Sequence, residues 1–354
     1  MAIGLDDVVA AETAMSDVDG LAGRLIIRGH SLEELAGRTS FEDVTALLLD
    51  GAFEVPFEAT MLGAARAEVF VRLEKAIPLL AHLPVFDAMR AAVATLPDDA
   101  SLDTALLLLA APAVVVPAFL RARAAKEPVA PDPQLSHAAD ILRMLHDRST
   151  TDAAARALDT YLVTVSDHGL NASTFTARVV ASTQAGLGSS VLAALGALKG
   201  PLHGGAPGPV LDMLDAVGRP DRAEAVLTAM LDRGERLMGF GHRVYRVRDP
   251  RADALKAALG RLQRTERLEL ALAVEQTALR LLRERKPDRA LETNVEFYTA
   301  LLLEALGFPR DAFTAVFATG RVSGWIAHSR EQATSGRLIR PRSRYVGPVP
   351  REAA

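Results

Sequence analysis

Residues 105–120 read Ala-Leu-Leu-Leu-Leu-Ala-Ala-Pro-Ala-Val-Val-Val-Pro-Ala-Phe-Leu, the longest uncharged apolar run in the chain. A helix needs about 20 consecutive apolar residues to cross a bilayer; this run falls short and contains Pro112 and Pro117. It therefore reads as a buried core helix, kinked or interrupted at its prolines. Such a helix must be surrounded by protein, so the rest of the chain has to supply the elements that cover it.

Those elements are helical. Apolar residues recur at helical spacing in Val44, Leu47 and Leu48, and again in Leu268, Leu272, Leu279 and Leu282. Thr39-x-x-Glu42 reads as a capping box opening the first of these segments, and Gly51 is placed to end it. Sustained period-two alternation is scarce, so the expected fold is all-α, with short strands tolerated near Arg24–Arg28 or at the C-terminus. The proline-rich stretch Glu127–Gln134 is a surface connection between helices. Breaks at Lys199–Pro209 and near Gly307-Phe-Pro309 frame a helical unit inserted into a larger body. No internal repeat or low-complexity tract is evident.

At 354 residues the chain has room for two domains, and 49% hydrophobic with 24% charged residues is ordinary globular composition. A formal charge of −4 gives no reason to expect nucleic acid or acidic lipid, so anionic ligands would need a local arginine cluster. The chain has no cysteine, which removes disulfides, thiolate nucleophiles and cysteine-held zinc or iron–sulfur centres. The opening residues carry acids where a signal peptide needs lysine or arginine, so a cytoplasmic location is expected.

Several motifs are missing: no GKS or GKT phosphate loop, no G-x-S-x-G elbow, no H-E-x-x-H. Gly239-Phe-Gly241 begins like a dinucleotide loop, but Val244 stands where the third glycine belongs. What remains is a series of polar residues set in apolar, glycine-rich sequence. In chain order they are Ser166–Thr174 with His168 and Asn171, Gly200–Gly205 with His203, and Met238–Tyr245 with His242, followed by Asp249-Pro-Arg251. Asn294–Tyr298 with Glu296, Ala318–Arg321 and Leu338–Arg342 complete the series. A lone histidine in an apolar stretch is usually a satisfied core residue, and a C-terminal arginine run is usually a solvated face. Glycines beside His203 and His242 move those two toward function, because glycine permits turns that project a side chain into a cleft.

Taken together and in order, these stretches resemble the citrate synthase family. Gly4–Thr13, Gly23–Gly29, Asp167–Phe175, Gly200–Ala206, Gly239–Tyr245 with Asp249-Pro-Arg251, Asn294–Tyr298 and Gly324–His328 carry the resemblance across nearly the whole chain. It implies a homodimer in which a large helical domain (residues 1–205 and 305–354) is closed by a smaller one (206–304). It implies oxaloacetate and acetyl-CoA as substrates, with no tightly bound cofactor, no metal, no nucleic acid and no membrane. By the same resemblance His203 donates to the thioester carbonyl, Glu296 removes the methyl proton, and His242 polarises the ketone of oxaloacetate. His168, Arg251 and Arg321 hold carboxylates, Arg340 reaches in from the partner subunit, and Asn171 positions a histidine.

Physical chemistry is consistent with those roles. A thioester α-carbon is a very weak acid, so a carboxylate can deprotonate it only if the enolate oxygen is stabilised as charge develops. A neutral imidazole can do that, and a helix beginning within Gly204–Pro209 would disfavour the imidazolium. Planar guanidinium groups suit the two carboxylates of oxaloacetate.

The chain departs from the family pattern in three places. Glu296 stands where aspartate is usual, Thr299-Ala300 where Ser-Gly is usual, and Pro207-Gly-Pro209 where a more helical stretch is usual. Two other readings stand beside citrate synthesis: 2-methylcitrate synthesis from propionyl-CoA, and a non-catalytic oxaloacetate- or CoA-binding paralogue.

Overall fold

A computed structural model describes residues 8–204, 207–242, 245, 247–262 and 265–348. Gly4–Asp7, Gly205, Ala206, Arg243 and Val244 of the stretches quoted above lie outside that set.

The chain opens with a small antiparallel sheet of β1 (Ser16–Asp19), β2 (Arg24–Ile27) and β3 (His30–Ser31), in which Ser16 pairs with Ile27 and Ile26 with Ser31. Leu25 and Ile27 are buried while Arg24 is exposed, the period-two pattern of a sheet with one covered face. Helices then dominate. First come α1 (Leu32–Leu35), α2 (Phe41–Leu49), α3 (Ala59–Leu73), α4 (Ala76–Leu80), α5 (Val85–Val93) and α6 (Leu102–Arg123). The series continues with α7 (His137–His146), α8 (Asp152–Val165), α9 (Ala172–Ala181) and α10 (Leu187–Leu198). It ends with α11 (Pro207–Val217), α12 (Ala223–Asp232), α13 (Pro250–Leu259), α14 (Glu266–Arg285), α15 (Val295–Ala305) and α16 (Phe313–Ser335).

The apolar run lies in α6, which the prolines do not interrupt: the helix is continuous with Pro112 and Pro117 inside it. Length and composition alone would let α6 cross a membrane, but 89% of its apolar window is buried inside the protein. Helices α3, α5, α7 and α16 surround it. Packing on every side holds the axis despite two missing N–H donors.

The capping box of α2 sits one residue later than the sequence suggested. Ser40 accepts from the Asp43 backbone N–H and Asp43 answers at the Ser40 N–H. Glu42 has a different task, accepting the His137 backbone N–H at 2.7 Å to cap the start of α7. Thr39 donates to the Leu35 carbonyl. Gly51, at φ +71°, does follow the end of α2. Residues 336–348 form no strand; they run as coil beyond α16.

Buried apolar side chains form one continuous core from Met15 to Ala327. Around the site, α9 lies between α10 and α16, while α13 packs on both α8 and α15. The turn after α8, the N-terminus of α15 and one face of α16 thus point to a common region.

Candidate active site

His168 sits in the turn between α8 and α9. Gly169 takes φ +58°, so the chain can reverse there and hand over to Asn171, the N-cap of α9. The Asn171 side chain accepts the backbone N–H groups of Ser173 and Thr174 at 3.1 and 3.2 Å. Before the turn, Asp167 is fully buried and accepts from Ser16 Oγ at 2.5 Å, and Ser16 Oγ in turn accepts the Gly169 N–H at 2.8 Å. The small sheet therefore clamps this turn. His328 on α16 contacts the same Asp167 carboxylate at 3.1 Å.

His203 follows α10, and its Nε2 lies 2.8 Å from Ser173 Oγ. Trp325 on α16 donates its indole N–H to that same oxygen at 3.1 Å. Indole can only donate, so it occupies an acceptor site on Ser173. Ser173 Oγ in turn donates to Asn171 Oδ1 at 2.8 Å, so this one hydroxyl links Asn171, Trp325 and His203. Helix α11 opens four residues later at Pro207, and its first turn tolerates proline because the N–H groups there have no intrahelical acceptor.

His242 follows Gly241, whose φ is +82°. The Tyr245 backbone N–H points at His242 Nδ1 from 3.1 Å, and Arg251 NH2 lies 3.1 Å from Nε2. Arg251 is held by Asp249, through Nε to Oδ1 at 3.0 Å and through NH2 to Oδ2 at 2.9 Å. Asp249 Oδ2 also accepts the Val295 N–H at 3.1 Å, tying Arg251 to the start of α15. Tyr245 OH reaches His168 Nε2 at 3.1 Å, and the His168 and His242 rings meet edge to face at 5.9 Å.

Glu296 occupies the first turn of α15, where its backbone N–H is capped by Asn294 at 3.0 Å. Arg321 on α16 is buried, donating through Nε to the Val165 carbonyl at 2.6 Å and stacking on Phe317 at 4.8 Å. The two residues share one electrostatic field. Burial pushes the Glu296 carboxyl up to about 7; Arg251 and Arg321 counter that push and Asp249 adds to it. Burial and Arg321 bring His203 down to about 4, and burial and Arg251 bring His242 to about 4. Burial, with Arg251, Arg321 and His242, carries His168 well below its ordinary value. Burial lowers Arg321 to about 10, which leaves it charged at neutral pH. The cluster is thus three neutral imidazoles, two cations and one carboxylate poised near neutrality.

The structure brings together His168, Asn171, His203, His242, Arg251, Glu296 and Arg321. It does not bring in Arg340 of the same chain. Arg340 is exposed on the C-terminal coil, where neighbouring Ile339 donates its N–H to Ser182 Oγ at 3.1 Å. Ser182 caps the end of α9 opposite Asn171, about 16 Å away at 1.5 Å per residue. Asn171 meets no histidine ring in this arrangement; it acts on His203 through Ser173. The roles of Ser173, Tyr245, Asp249, Asp167 and His328 were not read from the sequence, although all five lie in the stretches quoted for it. Sequence shows that a stretch is polar, not which side chain faces which. Ser16 gave no local signal at all. A cavity of about 920 Å³ lies elsewhere, between Phe53, Met61, Ser101 and Arg330, and none of the site residues lines it.

Comparison with known proteins gives the family. A family model described as citrate synthase, C-terminal domain, matches residues 4–342. A Mycobacterium bovis protein named putative citrate synthase 2 is 43% identical, covering 98% of this chain and 93% of its own. The 2-methylcitrate synthase of Mycobacterium tuberculosis is 37% identical over 97% of this chain and 90% of its own. The crystallised ternary complex of Thermoplasma acidophilum citrate synthase with carboxymethyl coenzyme A and oxaloacetate superposes with a TM-score of 0.84 at 29% identity, covering 99% of this chain and 97% of that one. The fold and the site define an enzyme of acyl-CoA condensation. The chain belongs to the citrate synthase family.

Proposed function

We propose that this chain condenses acetyl-CoA with oxaloacetate and water to give citrate and free CoA. One observation carries the reading: Glu296 lies in the field of Arg251 and Arg321, and burial, with one or both of those cations, keeps His168, His203 and His242 neutral. In this reaction Glu296 takes a proton from the methyl carbon of acetyl-CoA while the ring N–H of His203 donates to the enolate oxygen. The enolate carbon attacks the oxaloacetate ketone, whose oxygen is polarised by His242 with Arg251 beside it. Water then cleaves the citryl thioester, releasing citrate and CoA. His168, Arg251 and Arg321 bind carboxylates, and no step calls for a metal or a tightly bound cofactor.

The proposal includes closure of residues 206–304 over the larger body, which excludes water from the thioester. It also includes a homodimer in which Arg340 serves the partner's site; the anchoring of Ile339 at the far end of α9 supports that assignment. Propionyl-CoA is the competing substrate, favoured by the resemblance to a 2-methylcitrate synthase. One methylene in a pocket shifts discrimination by only about 1–3 kcal/mol.

Thiol release with oxaloacetate and either thioester tests the reading, and the absence of protein cysteine keeps the background low. Glu296→Gln should abolish release while oxaloacetate still binds. Unchanged release would remove Glu296 as the base. Binding without release by the unsubstituted protein would establish the non-catalytic paralogue instead.

A further inference from the structure

Tyr161 lies on α8, one helical turn before Val165. Its ring is completely buried, and its hydroxyl has no hydrogen-bond partner among the described residues. Leaving a hydroxyl unpaired in the interior is destabilising, and phenylalanine would fill the same space without that cost. The surroundings indicate what the hydroxyl is for. The Val165 carbonyl, on the same face of α8, accepts from Arg321, and Gly320 packs against Leu162 and Val165 so closely that a Cβ there would collide. Helices α13, α15 and α16 all pack on α8. The charges acting on the phenol are Glu296 and Arg321.

We propose that the Tyr161 hydroxyl is a positioning residue: it donates a hydrogen bond to the Glu296 carboxylate and aims that carboxylate at the substrate. The inference rests on Glu296 being the base. A glutamate arm has one more torsion than aspartate, so the carboxylate needs an anchor beyond the backbone to stay within reach of one carbon–hydrogen bond. Arg251 is engaged with Asp249, and Arg321 gives its Nε to the Val165 carbonyl and keeps its terminal nitrogens for a substrate carboxylate in the proposed reaction; Asp249 repels the Glu296 carboxylate. Tyr161, from α8, is a neighbouring donor whose hydrogen has no acceptor among the described residues. Rotation of the glutamate side chain gives each group the partner it needs.

The test is Tyr161→Phe, followed by thiol release, oxaloacetate binding, pH profile and thermal midpoint. The change removes an unpaired hydroxyl, so the thermal midpoint should hold or rise. The turnover number should fall by about tenfold or more, with oxaloacetate affinity within twofold. The acid limb of kcat/KM should move up by about half to one pH unit, because a donor to the ionised carboxylate favours that form. Unchanged turnover and pH profile would overturn the proposal, as would a rise in oxaloacetate KM with turnover intact, which would make Tyr161 a substrate ligand. A double-mutant cycle with Glu296→Asp guards against a merely structural effect: Tyr161→Phe should cost less in the aspartate background, and strict additivity would count against the proposal. Failure of the base assignment is separately visible, as turnover surviving Glu296→Gln.

Discussion

His328 lies between Asp167 and Arg178, with Nε2 3.1 Å from the carboxylate and Nδ1 3.0 Å from the guanidinium, and all three side chains are buried. Arginine only donates, so Nδ1 accepts and Nε2–H donates to Asp167. Burial alone would raise the Asp167 carboxyl; His328, Arg321 and Ser16 hold it below its ordinary value. Arg178 goes on to Gln332 at 3.0 Å, and Gln332 holds the Arg337 carbonyl at 2.9 Å. The turn bearing His168 and the coil bearing Arg340 are thereby tied through one buried chain.

Replacing His328 with alanine removes a donor from a buried carboxylate whose other oxygen, Oδ1, already has no partner among the described residues. The expected loss is about 3 kcal/mol, since a buried charge left short of partners is costly. Urea unfolding at fixed protein concentration measures it, and a change below about 0.5 kcal/mol would contradict this account.

Ser173→Ala should act on catalysis rather than on oxaloacetate. It removes the hydroxyl that holds His203 Nε2 at 2.8 Å and leaves the Trp325 indole without its acceptor. A fall in turnover of about 10- to 100-fold is expected, because a misplaced oxyanion donor loses most of its effect. Calorimetric titration with oxaloacetate should give a near-normal affinity. If affinity falls as much as turnover, Ser173 is not acting through His203.

Asp249→Asn should do the reverse. Asp249 fixes two nitrogens of Arg251 and the Val295 N–H with one carboxylate. An amide presents N–H where one of those oxygens was, facing a donor. Oxaloacetate affinity should drop by about 30- to 100-fold, on the scale of a charge-assisted bond. Normal affinity in the asparagine variant would show that Arg251 needs no such clamp.

The pH dependence follows from the signs of the shifts. Glu296 works as a base only when ionised, and burial raises it to about 7, so kcat/KM should fall as pH drops through about 7. His203 and His242, brought to about 4, stay neutral across that window and cannot produce the limb. Stability behaves differently. Histidines whose folded value is depressed contribute fully above the unfolded value of about 6.5, and that contribution is lost as pH falls toward 4. An acid limb near 4 in the rate profile would show that Glu296 is not the titrating group.

Much of this was legible along the chain. The apolar run at 105–120 announced a buried helix, because an uncharged run too short for a bilayer and holding two prolines must be covered by protein. The glycines at 239 and 241 announced turns, and their φ values of +87° and +82° supply the reason. The capping box of α2 was misplaced by one residue because adjacent Thr39 and Ser40, and adjacent Glu42 and Asp43, fit the same local pattern. Local propensity cannot choose between them; the distant His137 N–H, by engaging Glu42, does.

Residue type and spacing thus determined the helical class of the protein and the stretches that carry its chemistry, since both depend on periodicity and on backbone freedom within a few residues. Tertiary structure alone decided which groups face each histidine, that the Glu296 carboxylate is poised near neutrality, and that Tyr161 is buried with its hydroxyl unpaired among the described residues. Protonation and tautomer depend on desolvation and on donors that come from helices more than a hundred residues apart in the sequence, and those meet only when the chain is folded.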